Sequence, residues 1–173
     1  MKTNVRQRTR RASARAQRTQ ATAPRAPAVD AEVVVFDIDG TLADTSARVH
    51  HVRGKPKNWK AFFAAMSEDK AVHAIVRLCN LVHDAGVRVV LCSGRPEEYR
   101  ERTVEWLARE GVRYDELRLR RHGDRRSDTI AKREMLAGID PAKILFVVED
   151  RASVVDMWRA MGLVCLQCAP GEF

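Results

Sequence analysis

The sequence predicts a doubly wound α/β fold: a Rossmann-like parallel sheet of about five strands with helices on both faces. Three observations predict it. Short apolar runs of strand length alternate with longer stretches of helical periodicity from Val33 onward, as β–α–β units with right-handed crossovers do. A glycine stands at Gly86, Gly111, Gly138 and Gly162, behind each of four helical stretches, where helices are commonly stopped. Hydroxyl, glycine and carboxylate residues gather where the strand candidates end, the edge at which open α/β sheets hold their ligands.

The elements follow in order. Val33, Val34, Val35 and Phe36, between Glu32 and Asp37, read as a short strand buried on both faces. With the turn behind it, this strand spans 33–39, and the others span 87–93, 117–121, 144–150 and 164–169. Helical patterns fall over 71–84, 97–110, 129–137 and 153–161, and no internal repeat is present. The segment 43–69 stands outside the alternation. It holds a basic run, Arg48, His50, His51, Arg53, Lys55 and Lys57, then an amphipathic piece from Trp59 to Met66. The aromatics predict a short helix packed on the body and a basic loop overhanging the sheet's carboxyl edge. That is a small cap at most, and an uncovered cleft admits a polymer end as well as a small molecule.

Charge divides the chain into a tail, 1–30, and a globular domain, 31–173. Of 31 basic residues, eight (Lys2, Arg6, Arg8, Arg10, Arg11, Arg15, Arg18 and Arg25) precede Val29, where there is no acid, which leaves 23 to balance the 23 acids. The formal charge of +8 therefore belongs to the tail. With almost no large apolar residue, the tail cannot offset the entropy of ordering and is expected to be disordered. A flexible polycation binds polyanions, nucleic acid above all; a merely solubilising tail has the same composition. A transit peptide is disfavoured by the missing apolar helix face. No apolar stretch reaches transmembrane length. The four cysteines, Cys79, Cys92, Cys165 and Cys168, sit mostly in apolar contexts. Cys165 and Cys168 match C-x-x-C without a second pair or a helix start, so packing is favoured over zinc or redox chemistry. A reducing, cytoplasmic setting is expected, and the oligomeric state is unreadable.

Four strand ends or helix starts carry chemistry. Asp37 and Asp39 follow the first strand, with Gly40 for the turn and Thr41 for a hydroxyl. Carboxylates this close repel unless a cation or a shared proton lies between them, which suggests a hard metal ion and a nucleophile paired with an acid/base. Ser93, Gly94 and Arg95 close the second strand, and Pro96 opens a helix; a hydroxyl, backbone N–H groups and a helix start form an anion cradle. Asp128 and Lys132 stand at i and i+4, either a surface ion pair or a lysine steered toward a phosphate. Glu149 and Asp150 end the fourth strand, where burying two acids is costly without a positive neighbour. A divalent cation shared with Asp37 meets that need.

These stations, in this order, resemble the haloacid dehalogenase superfamily of aspartate-nucleophile phosphohydrolases. The intervening residues are similar to the 3′-phosphatase domain of bacteriophage polynucleotide kinase/phosphatase. The likeness lies in Asp37 to Ala43, Ser93 to Arg95, Gly123 to Asp128 with Lys132, Asp150 with Arg151, Val154 to Arg159, and the closing Gly171, Glu172 and Phe173. The resemblance implies Mg²⁺ held by Asp37, the Asp39 carbonyl and Asp150, with Asp37 as nucleophile and Asp39 as general acid and base. It implies that Thr41, Arg48, Ser93, Gly94, Arg95 and Lys132 bind the phosphate, and that Asp128 orients Lys132. Where that family usually has two Asp, this chain has Glu149 first, so ligation is assigned to Asp150 and support to Glu149. No G-x-x-x-x-G-K-[ST] occurs, since Gly54 and Lys55 precede Pro56, and kinase activity is not expected. The favoured function is a 3′-phosphatase for nucleic-acid ends. A phosphatase for mononucleotides or other small phosphomonoesters is the alternative, and a non-catalytic nucleic-acid-binding module the third.

Overall fold

The computed structural model describes residues 32–171. The expected basic tail over 1–30 and the closing Glu172 and Phe173 lie outside the described residues.

In chain order the elements are β1 (Val33–Phe36), β2 (Ala43–Asp44), α1 (His50–Arg53), α2 (Trp59–Ala64), β3 (Lys70–Ala71), α3 (His73–Asp84) and β4 (Arg88–Pro96). Then come α4 (Arg100–Arg109), β5 (Glu116–Arg120), α5 (Asp128–Met135), β6 (Ile144–Glu149), α6 (Ala152–Ala160) and β7 (Cys165–Gln167). Single 3-10 turns stand at Met66–Glu68, Glu97–Tyr99 and Pro141–Lys143. One difference from the sequence reading follows: Pro96 ends β4, and the helix proper starts only at Arg100, behind the turn Glu97–Tyr99.

The main sheet runs β5-β4-β1-β6-β7, with every pair parallel. It is the doubly wound α/β sheet of five strands that the sequence predicts. β1 is central because it is apolar on both sides. Val33 and Val35 face a core with Val90, Val147, Val154 and Trp158, while Val34 and Phe36 face one with Val89, Leu91, Trp106 and Leu107. This alternation is the period-two geometry of a strand. The first core packs beneath α5 and α6, the second beneath α3 and α4. All four β1 side chains are at most 1% exposed, and each burial of this kind stabilises by about 1.5–3 kcal/mol.

The chain leaves β1 toward β4 and β5, then returns to place β6 on the other side of β1. The crevice at the carboxyl end of β1 is therefore the switch point where such sheets bind ligands. The segment 43–71 forms a small insert beside it. β2 and β3 pair antiparallel to close its neck, and Val49, Val52 and Phe62 make its own core with Phe63 against it. Trp59 to Ala64 is helical as expected. Arg48, however, is not in a solvated basic loop but is 1% exposed.

Candidate active site

Asp37 continues β1: its N–H donates to the Val148 carbonyl at 3.0 Å. The chain then turns sharply, with the N–H groups of Thr41, Leu42 and Ala43 all donating to the Ile38 carbonyl. The turn requires Gly40 twice over. Its φ is +92°, and a Cβ there would lie 2.1 Å from Asp150 Oδ2. Gly171 imposes the same 2.1 Å limit on that carboxylate, so Asp150 sits between two glycines.

Asp37, Glu149 and Asp150, all buried, offer oxygens that lie within 4.8 Å of one another. Lys132 Nζ reaches in from α5 and donates to Asp37 Oδ1 and Glu149 Oε2, each at 2.6 Å. Glu149 Oε1 accepts the backbone N–H groups of Asp150 and Arg151 at 3.3 Å. Both Glu149 oxygens are thus engaged by the protein, and Asp150 offers an oxygen to the same cluster. Burial pushes the Asp37 carboxyl well up, with Glu149 and Asp150 adding to the rise and Lys132 opposing it. Burial, then Glu149, raises Asp150 to about 7. When ionised, the three carboxylates outnumber the one ammonium among them, with Arg151 a further cation acting on Asp150. An all-oxygen donor set with that excess of acids fits a hard divalent ion such as Mg²⁺.

Asp39 has a different environment. Arg95 donates to its Oδ1 through Nε at 3.0 Å and Nη2 at 2.6 Å, and Arg48 Nη2 donates to the same oxygen at 2.5 Å. Burial opposes ionisation, but the two guanidiniums prevail and hold the Asp39 carboxyl far below the usual carboxylate range. Arg48 is itself fixed by Asp69, with Nε at 2.8 and 2.9 Å from the two oxygens and Nη2 at 2.6 Å from Oδ2. Its guanidinium lies 4.0 Å over the Phe62 ring, and Arg95 lies 5.6 Å over Trp106. Trp106 Nε1 closes the network by donating to the Asp69 carbonyl at 2.9 Å.

The remaining predicted residues divide by position. Asp37, Asp39, Gly94, Asp128, Lys132, Glu149 and Asp150 line one cleft of about 790 Å³. Ser93, Arg48 and Arg95 are buried behind that surface, and Ser93 Oγ accepts the Arg95 N–H at 3.3 Å. Thr41 lines a second cavity that shares Asp150, with Cys168 Sγ 3.6 Å from its Oγ1. Asp128 does not hold Lys132. Its two oxygens accept from Arg120 and Arg151, while the ammonium turns to the more deeply buried Asp37 and Glu149. Gly94 leaves room for Asp128, whose Oδ1 would stand 2.8 Å from a Cβ there.

Three participants were not among the predicted site residues. Asp69 closes the one segment that stands outside the strand–helix alternation. Arg120 is the last residue of β5, so its place at a strand's carboxyl end was the available signal. Arg151 adjoins Asp150 in the chain. The cysteines are free thiols, and burial raises the Cys79 and Cys92 thiols to about 12. Unreactive packing residues have this character.

Residues 31–173 match the family model described as the polynucleotide kinase PNKP phosphatase domain. Among solved structures, the chain is 29% identical to a chain of the Pnkp1/Rnl/Hen1 complex (TM-score 0.71, covering 90% of this chain and 52% of that one). It is 30% identical to a chain of the Pnkp1/Rnl/Hen1 RNA repair complex (TM-score 0.68, 92% and 49%). The chain thus spans about half the length of these relatives. CbbY from Rhodobacter sphaeroides in complex with phosphate shares the fold at 17% identity (TM-score 0.56, 82% and 87%). A family match across the whole described fold, with an acid cluster at its switch point, settles the assignment: the chain belongs to the polynucleotide kinase PNKP phosphatase domain family and is a phosphoric monoester hydrolase.

Proposed function

We propose that this protein is a Mg²⁺-dependent polynucleotide 3′-phosphatase acting through an aspartyl-phosphate. The observation that carries the reading is the buried set Asp37, Glu149 and Asp150, within 4.8 Å of one another, at the end of the central strand in an open cleft. Resemblance to a chain of an RNA repair complex supports a nucleic-acid end as the substrate. The metal would be held by Asp37, Asp150 and the Asp39 carbonyl, and it supplies charge neutralisation at the phosphoryl oxygens and between the acids.

Asp37 Oδ attacks phosphorus in line; the new O–P bond forms as the P–O bond to the 3′ oxygen breaks. Asp39, ionised in the free protein, would take up a proton as the substrate binds and give it to that oxygen. In the second half, water attacks the acyl phosphate and loses its proton to Asp39, which frees inorganic phosphate and restores Asp37. The clamp of Arg48 and Arg95 holds Asp39 in its ionised form, the state that the water-activating half requires. Lys132 lines the cleft and would neutralise charge on the transferring group, with Ser93, Arg48 and Arg95, buried behind that surface, reinforcing it. Arg120 and Arg151 hold Asp128 at the rim.

The test compares 3′-phosphorylated oligonucleotide, 5′-phosphorylated oligonucleotide and free nucleotides, each with and without Mg²⁺, for the natural protein and Asp37→Asn. The expected result is metal-dependent release of 3′-phosphate by the natural protein alone. Equal turnover by Asp37→Asn refutes the mechanism, and preference for free nucleotides refutes the substrate.

A further inference from the structure

The cleft that holds the acids has a second wall for which phosphoryl transfer has no use. Trp59, Phe62 and Phe63 line it alongside Asp37 and Asp39. Phe62 is accounted for, since it is buried in the insert's core and carries the Arg48 guanidinium on its face. Trp59 is not. It is 41% exposed, although it meets the core ring of Phe62 in a T-shaped contact, centroids 5.7 Å apart. The other large exposed apolar side chains among the described residues, such as Leu81, Val164 and Leu166, are aliphatic, and none of them lines this cleft.

The ring is nevertheless held in place. Asn58 Oδ1 accepts the Ala61 N–H at 3.0 Å and fixes the start of α2. Trp59 then lies near-parallel to Phe63, with centroids 6.0 Å apart and planes at 22°. Phe63 in turn lies 5.4 Å from Tyr99, beside the Arg95 loop. A fixed, half-exposed aromatic row leading toward a phosphoryl site is a stacking platform, because every nucleobase offers a π-face and stacking tolerates any sequence.

Charge at the rim favours the same occupant. Lys57 Nζ lies over the Trp59 ring, 5.3 Å from its centroid, on an exposed flexible stem that must swing aside for a base to stack there. Arg125 lines the cleft, is exposed, and has no hydrogen bond or ion pair among the described residues. Its neighbour Arg126, by contrast, is tied to Asp124 and Glu134. A free guanidinium opposite an aromatic row suits a chain that alternates rings with phosphodiesters; an apolar protein segment would leave that charge unused.

We infer that Trp59, continued by Phe63, stacks the base of the nucleotide that bears the scissile phosphate, while Arg125 takes the preceding phosphodiester. This inference rests on the polynucleotide 3′-phosphatase reading and adds to it where the substrate's base is gripped. The experiment uses the full chain and three substrates: a 3′-phosphorylated oligonucleotide, the same oligonucleotide with an abasic terminal nucleotide, and glycerol phosphate. The readout is the ratio of kcat/KM between the intact and abasic oligonucleotides, in which general losses of activity cancel. The natural protein should favour the intact end by roughly ten- to a hundred-fold, the range that stacking on one aromatic supplies. Trp59→Ala and Trp59→Leu should bring the ratio close to one, and Trp59→Phe should keep most of it. Trp59→Leu preserves apolar bulk, so a fold that tolerates no alanine still yields an answer. An unchanged ratio in Trp59→Leu, or no preference in the natural protein, overturns the stacking assignment and leaves the ring to another partner, such as a protein surface. Glycerol phosphate turned over as well as the oligonucleotides would instead overturn the polynucleotide reading beneath it.

Discussion

Asp69→Ala tests whether the arginine network behind the site is a balanced unit. Asp39 and Asp69 contribute two negative charges and Arg48 and Arg95 two positive ones, and all four side chains are nearly inaccessible. With Arg48 and Asp69 contacts of 2.6 to 2.9 Å and an effective dielectric of about 20, the pair attracts by roughly 6 kcal/mol. Desolvation offsets most of that, so the intact pair is a small net contributor. Truncating one partner is another matter. Arg48 would remain buried and charged, met by Asp39, which Arg95 already engages, and by the neutral carbonyl and ring of Phe62. That loss costs about 3–5 kcal/mol, against a total stability of about 5–15 kcal/mol for a domain. The Tm should fall by about 6–20 °C. Urea unfolding at matched m-values is the assay. Asp69→Asn keeps the acceptor oxygen and should lose less, about 1–3 kcal/mol. Replacing both charges, Arg48→Met with Asp69→Leu, should recover much of the loss, because no orphan charge remains. A loss under about 1 kcal/mol for Asp69→Ala, or a double variant worse than the sum of its singles, refutes the reasoning.

Two further outcomes follow from the site's geometry. Gly40→Ala forces a Cβ to within 2.1 Å of Asp150 Oδ2 at a φ of +92°. It should cost about 1–3 kcal/mol of stability and displace the ligand, so that the Mg²⁺ concentration for half-maximal activity rises; unaltered metal dependence contradicts this. The metal's own stabilisation should depend on pH. The folded Asp150 carboxyl is raised from 3.8 to about 7, so its ionisation penalises the metal-free fold progressively as pH rises between those values and fully above the upper one. Mg²⁺ binds the ionised form and relieves the penalty. The Tm gain on adding Mg²⁺ should therefore grow between about pH 5 and pH 8; a gain that is flat or falls over that range would sink the assignment of Asp150 as ligand.

The sequence alone determined the parallel sheet and the placement of Asp37 and Asp150 at strand ends, because those facts are local. Periodicity, a glycine behind each helix and the character of a buried run are written within a few residues. The limit shows at Lys132. Helical spacing paired it with Asp128, an interaction worth a few tenths of a kcal/mol on a surface. Tertiary packing instead buried its ammonium between Asp37 and Glu149, 95 and 17 residues away, where an unpaired charge is far more costly. The same reason hides Asp69, which meets Arg48 across 21 residues of the insert, and the Trp59 platform, whose exposure depends on how the insert folds over the cleft. Which side chains share a desolvated space is a property of the closed fold, and only the tertiary structure could decide it.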